Sequence, residues 1–117
     1  MQLLSELDSL GVNTKEGLAR VMDDESLYTM MLDMFVDTVQ SAPISPGEFD
    51  GGSLEKLIEK VHTLKGTTGN LSLEPLFVRY TRSLELLREK KPAEAKTVFE
   101  ELLPIQEKIV ECIRKHQ

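Results

Sequence analysis

Tryptophan is missing from this 117-residue chain, cysteine occurs once, and the aromatic complement is two tyrosines and four phenylalanines. A lone cysteine forms no internal disulfide, so stability must come from buried apolar surface, for which one domain of this length suffices. The scarcity of aromatic residues, beside abundant Leu, Glu, Lys and Met, disfavours sheet and favours helix. Basic excess is also lacking, since 14 Lys and Arg stand against 20 Asp and Glu for a formal net charge of -6. Nucleic acids and anionic membranes are therefore not expected partners, because both require a basic face; proteins are. No apolar run reaches the roughly 20 residues that span a bilayer, and no charged-then-apolar leader opens the sequence, so a cytoplasmic location is expected.

What is present is helical periodicity throughout, which predicts one all-α domain over residues 1–117. Two short helices, about 2–9 and 14–21, are separated by Gly11-Val12 and restarted by Asn13 or Thr14 as a cap. Asp23 or Asp24 is the expected cap of a longer helix to about Gln40, with Leu27, Met31, Met34, Phe35 and Thr38 as its core stripe. Residues 41–52 hold two prolines and three glycines, which predicts a flexible loop. Ser53 then caps a helix over 54–70 that buries Leu54, Leu57, Val61, Leu64, Thr68 and Leu71. Ser72 is the expected cap of a helix over 73–90, with Pro75 in its first turn and Leu73, Leu76, Phe77, Tyr80, Leu84 and Leu87 inward. A last helix over 93–115 follows Pro92 and presents Ala95, Val98, Leu102, Ile105, Ile109 and Cys112, with a kink expected at Pro104. Four long amphipathic helices with tight connections are most simply an antiparallel up-down-up-down four-helix bundle, the short N-terminal helices covering one end.

The functional signal lies in Val61-His62-Thr63-Leu64-Lys65-Gly66-Thr67-Thr68-Gly69-Asn70-Leu71. On a helix advancing about 100° per residue, the apolar positions of 54–70 centre roughly 120° from His62, which places the imidazole outside the core. Gly66 and Gly69 fall within about 40° of the same direction. A mid-helix glycine costs roughly 1 kcal/mol relative to alanine, so two on a working face imply clearance for another protein's surface beside the reacting nitrogen. Lys65 lies between the histidine and the core, where its flexible stem can carry an ammonium to a phosphoryl group on the ring. Imidazole is a competent nucleophile near neutral pH without an adjacent base. Glu55 and Glu59 lie near His62 on the wheel, either orienting the ring or standing as solvated surface charges.

His62-Thr63-Leu64-Lys65-Gly66, followed by Gly69-Asn70-Leu71, resembles the active-helix signature of histidine-containing phosphotransfer (HPt) domains of bacterial two-component phosphorelays. Upstream, Gly17-Leu18-Ala19-Arg20, Asp23-Asp24-Glu25-Ser26-Leu27-Tyr28, Leu32 and Phe35 resemble that family's lead-in to its first long helix. The resemblance covers roughly residues 11–90. It implies a bundle whose His62 is the phospho-acceptor, with Lys65 stabilising the added charge and Gly66 and Gly69 admitting a response-regulator receiver domain. It implies further that a receiver aspartate or a histidine kinase is the donor, that Mg2+ sits on the receiver, and that this chain binds no metal or cofactor and acts as a monomer. Arg79 and Arg82, expected near the level of His62 on the next helix, either add positive field facing an acidic receiver pocket or are ordinary surface arginines. Two features depart from the pattern: Ser72 stands where many members have glycine, and Pro104 interrupts the last helix.

Other readings are weaker. His116 is expected to fray, and Cys112 to be a small buried side chain. Met22, Met30, Met31 and Met34 form either a partner surface or core filling. The Gly66 to Gly69 spacing lacks the strand and the Gly-Lys-Ser/Thr ending of a phosphate-binding loop. With no glycine-rich ATP site the chain is not expected to be a kinase by itself, nor, without a placed serine, cysteine or second histidine, a hydrolase. A stoichiometric phosphocarrier is the leading expectation. The rivals are a phospho-accepting module of a larger hybrid or chemotaxis-type kinase, and a non-phosphorylated helical adaptor for receivers.

Overall fold

Side-chain caps set three of the six α-helix starts in the computed structural model, which describes residues 2–117. Helix α1 spans Gln2–Ser9, and α2, Thr14–Ala19, opens with the Asn13 carboxamide accepting from the Glu16 amide. Helix α3, Glu25–Ser41, is capped by Asp24, whose carboxylate accepts from the Leu27 amide at 3.0 Å. Asp23 is excluded as the cap because it adopts a left-handed backbone, φ 61°. Helix α4, Leu54–Asn70, begins at Ser53, whose hydroxyl accepts from the Lys56 amide at 3.2 Å. Helices α5, Glu74–Arg88, and α6, Pro92–Arg114, lack side-chain caps and carry proline in the first turn, where no amide is needed. Among the described residues there is no strand.

Three local expectations are corrected. The segment 41–52 contains a 3-10 turn, Pro46–Phe49, closed by a reciprocal Ser45–Glu48 capping box. It is not a bare loop, because Phe49 is buried with its ring 5.1 Å from that of Phe99. Lys60 pairs with Glu48 at 2.7 Å and Lys96 with Asp50 at 2.8 Å, tying the segment to α4 and α6. Ser72 does not cap α5: the residue preceding that helix is Leu73, and Ser72 itself is buried at φ 56°. The core stripe of α3 is shifted by about one residue from its expected phase. Tyr28, Leu32, Phe35 and Val36 point inward, whereas Leu27, Met34 and Thr38 are exposed.

Tyr28 explains the shift. Its hydroxyl donates to the Leu71 carbonyl at 2.7 Å, and its ring occupies the space over Gly17, where a Cβ would lie 2.6 Å from a ring carbon. Rotating α3 to bury Leu27 would break that bond and leave a buried carbonyl without its partner, at a cost of about 1–3 kcal/mol.

Residues from all six helices share one apolar cluster, including Leu3 and Leu7 of α1, Leu57 and Val61 of α4, Tyr80 and Leu84 of α5, and Phe99, Leu102 and Ile109 of α6. Helix α5 packs most extensively, against α6 on one side and α4 on the other, and α3 and α1 also pack on α6. The molecule measures 42 × 24 × 21 Å. Among the described residues no helix is long and apolar enough to cross a membrane. Four further stripe residues, Leu54, Phe77, Val98 and Ile105, are only partly covered, while Phe99 and Ile113 are buried.

Candidate functional site

Helix α4 buries Leu57, Val61, Leu64 and Thr68 and turns His62 to the outside. This follows from the helical period: the buried residues occupy one stripe, and His62 is one position past Val61. The hydroxyls of Thr63, Thr67 and Thr68 all donate back to α4 carbonyls, those of Glu59, Thr63 and Leu64, at 2.8–3.0 Å. They are thereby engaged within the helix. Neither Glu55 nor Glu59 bonds to the His62 ring among the described residues, and Glu59 lines a different cleft with Lys56, Lys60 and Thr63. The histidine that does have a carboxylate partner is His116, whose Nε2 lies 2.6 Å from Glu6.

His62 borders a cleft of about 530 Å³ with Lys65, Gly66, Gly69 and Asn70 of α4. Phe77 and Val78 of α5, with Glu74 at its first turn, also line it, as do Glu16, Arg20 and Ser72. Its lining is mostly apolar, with two cations and two carboxylates among the charged groups, so any anion brought to His62 meets Lys65 and Arg20 as the favourable charges. The Arg20 guanidinium, donating to Glu16 at 2.8 Å, is the main influence holding the Glu16 carboxyl below its ordinary value, and the Ser72 hydroxyl adds to it. Glu16 is therefore a carboxylate at neutral pH.

The two glycines behave differently. A Cβ built on Gly66 would have no neighbour within 4 Å, so the backbone beside His62 is open. A Cβ on Gly69 would lie 2.9 Å from the Phe77 ring. The open space expected beside both glycines is present at Gly66, whereas the space over Gly69 is taken by Phe77 of the same chain. Phe77 is accordingly part of the cleft and not of the core.

Neither Arg79 nor Arg82 lines this cleft. Arg79 donates to the Pro75 carbonyl at 2.9 Å, and Arg82 pairs with Glu85 at 3.2 Å. Sequence reasoning missed the arginine that does line it. Glu16 on α2 and Arg20 directly after that helix are four apart, a legible pair, but only the tertiary fold carries them to α4. The link is the turn between α4 and α5, where the Asn13 amide donates to the Ser72 carbonyl at 3.0 Å and the Ser72 hydroxyl to Glu16 at 3.0 Å.

Elsewhere, His116 is bonded to α1 and not frayed, and Glu6 also pairs with Lys115 at 3.2 Å. Burial, first, and the Glu6 carboxylate push the Cys112 thiol up, away from the thiolate that a reactive cysteine needs. Among the described residues no group of His, Cys, Asp and Glu is arranged to hold a metal ion. No protein-family model, curated protein or solved structure matches the chain.

Proposed function

We propose that this chain is a phosphocarrier of the histidine-containing phosphotransfer type. Helices α3 to α6 make an up-down-up-down bundle with α1 and α2 over one end. His62 takes a phosphoryl group from a receiver-domain aspartate or a histidine kinase and passes it to a response-regulator receiver. One observation carries the reading: an outward imidazole without a carboxylate partner shares a cleft with Lys65 and Arg20, beside the open backbone of Gly66. A core or structural histidine needs none of these features.

In the transfer, the lone pair of the unprotonated ring nitrogen attacks phosphorus of an aspartyl phosphate. The N–P bond forms as the bond between phosphorus and the carboxylate oxygen breaks, and that electron pair leaves with the aspartate. The phosphoimidazolium then releases its ring proton to water, and delivery to the next aspartate reverses these steps. Lys65 faces the charge arriving on the ring, and Gly66 allows the in-line approach that transfer between two proteins requires. The magnesium ion of such a reaction belongs to the receiver. On this reading the chain is a stoichiometric carrier, monomeric and cytoplasmic, and not an enzyme with its own ATP site.

The test is phosphoryl labelling of the purified chain with ATP alone, with a histidine kinase, and with a phosphorylated receiver. The expected result is an acid-labile, base-stable label that requires the protein donor and is lost in His62→Gln. Undiminished labelling of His62→Gln would sink the assignment. A second reading, a receiver-binding adaptor, draws on the exposed Met22, Leu27, Met30 and Met34, and it requires binding without label. Labelling only when the chain is joined to an ATP-binding domain would instead mark it as a module of a larger kinase.

A further inference from the structure

We infer that Arg20 is a second phosphoryl-binding cation of the His62 cleft, positioned by Glu16 and Ser72, an inference that rests on the phosphocarrier reading above. Arg20 is the residue that directly follows the six-residue helix α2, more than 40 positions from His62 in sequence, yet both line one cleft. Its only side-chain bond among the described residues is from one terminal nitrogen to Glu16, at 2.8 Å. Guanidinium carries five N–H donors in a planar fork, so the remaining donors are available to phosphoryl oxygens. Half of the side chain is open to solvent, at 49 % exposure, which leaves it room to swing.

The anchor beneath Arg20 carries a backbone cost. Ser72 is 2 % exposed and holds φ 56°, a conformation that costs a non-glycine residue roughly 1 kcal/mol or more. Glycine would relieve that strain. Serine supplies a hydroxyl, and this hydroxyl donates to Glu16 at 3.0 Å, the same carboxylate that holds Arg20. Without Arg20 the cleft would set one cation, Lys65, against Glu16 and Glu74. Adding a phosphoryl group to His62 would then leave a large negative excess in a partly enclosed space. Arg20 corrects the balance: in the resting state it neutralises Glu16, and in the phosphorylated state its fork engages the phosphoryl oxygens as well.

The 117-residue chain is treated with phosphoramidate, a small-molecule donor that needs no partner protein. Its P–N bond breaks, ammonia leaves, and the phosphoryl group passes to the ring nitrogen. Titration of the phosphohistidine signal by phosphorus-31 NMR, with His62→Gln identifying the His62 signal, reads the phosphoryl pKa directly. A nearby cation favours the dianion and lowers that pKa. Arg20→Ala is expected to raise it by about half a unit, which corresponds to about threefold in the ionisation constant, and Arg20→Lys to recover part of the shift. Ser72→Gly is expected to keep or raise thermal stability while moving the phosphoryl pKa partway toward the Arg20→Ala value, a pattern that a merely structural role for Ser72 does not produce. A His62 signal that titrates identically in wild type and folded Arg20→Ala overturns the role of Arg20 and leaves the phosphocarrier reading intact. An unchanged titration in Ser72→Gly overturns the positioning role of Ser72. Absence of any His62 label in wild type overturns both readings.

Discussion

The two glycines on the His62 side of α4 answer to different neighbours, and substitution separates them. Nothing stands within 4 Å of a Cβ at Gly66, so Gly66→Ala is expected to stabilise the fold by about 0.5–1 kcal/mol through helix propensity alone. Gly66→Leu should also fold, but on the proposed phosphocarrier reading it should slow transfer, because the added side chain fills the approach to the imidazole. Unchanged transfer kinetics in folded Gly66→Leu would refute the clearance role. Gly69→Ala has the same propensity gain but drives a methyl to 2.9 Å from the Phe77 ring. Overpacking of that kind costs about 1–3 kcal/mol, for an expected net loss of about 1 kcal/mol in urea denaturation. The helical wheel made the direction of both glycines legible, since direction follows from the period of the helix. It could not give their neighbours, because Phe77 arrives from another helix. For the same reason the wheel found His62 and Lys65 but passed over Arg20, which joins them only through the α4–α5 turn.

Among the helices, starts were legible where capping is local. Asp24 and Ser53 each bond an amide three residues on, within a single turn of chain. The phase of α3 was not legible, because its apolar residues admit two overlapping stripes and a distant carbonyl at Leu71 selects the one led by Tyr28. The turn within 41–52 was likewise hidden by its prolines and glycines, although Ser45 and Glu48 form a capping box that sequence does encode. The pairing of α1 with the end of α6 is also tertiary, and it carries a pH dependence. Hydrogen bonds from His116, first, and Lys115 hold the Glu6 carboxyl below its ordinary 4.5. A depressed carboxyl pKa contributes stability that is present above the unfolded-state value and is lost as pH falls through the folded value. Cys112 also faces this carboxylate, at 3.6 Å. Glu6→Gln should therefore lower stability slightly at about pH 7 and show little difference from wild type at about pH 3. Equal gaps at both pH values, in parallel denaturant melts, would show that Glu6 contributes packing and not charge.

At the level of the whole molecule, one apolar cluster joins all six helices, and both tyrosines are sunk in it. Burial, first, and Asp8 push the Tyr28 hydroxyl up to about 12, and burial raises that of Tyr80, which also donates to Gln106. For an acid whose folded pKa is raised, stability is fully present below the unfolded value of 10.0 and is lost as pH climbs toward the folded one. Tyrosinate absorbance is thus expected to stay low near pH 10 and to rise together with loss of helical circular dichroism at higher pH. Ionisation at the ordinary value in a fully helical protein would contradict the packing of both rings. Tyr28→Phe should lose about 1 kcal/mol at neutral pH through the missing bond to Leu71, with a shallower alkaline decline. The bonds from Tyr28 to Leu71 and from Ser72 to Glu16 span 43 and 56 residues, whereas α4, α5 and α6 follow one another through short turns. Closing long stretches of chain carries more entropy loss than closing short ones. The two hairpins can therefore assemble first from local contacts, and the N-terminal segment joins them afterwards. Because that segment delivers Arg20, a chain with an undocked N-terminus would lack that cation in the His62 cleft together with the core side chains Leu3, Leu7, Tyr28, Leu32, Phe35 and Val36.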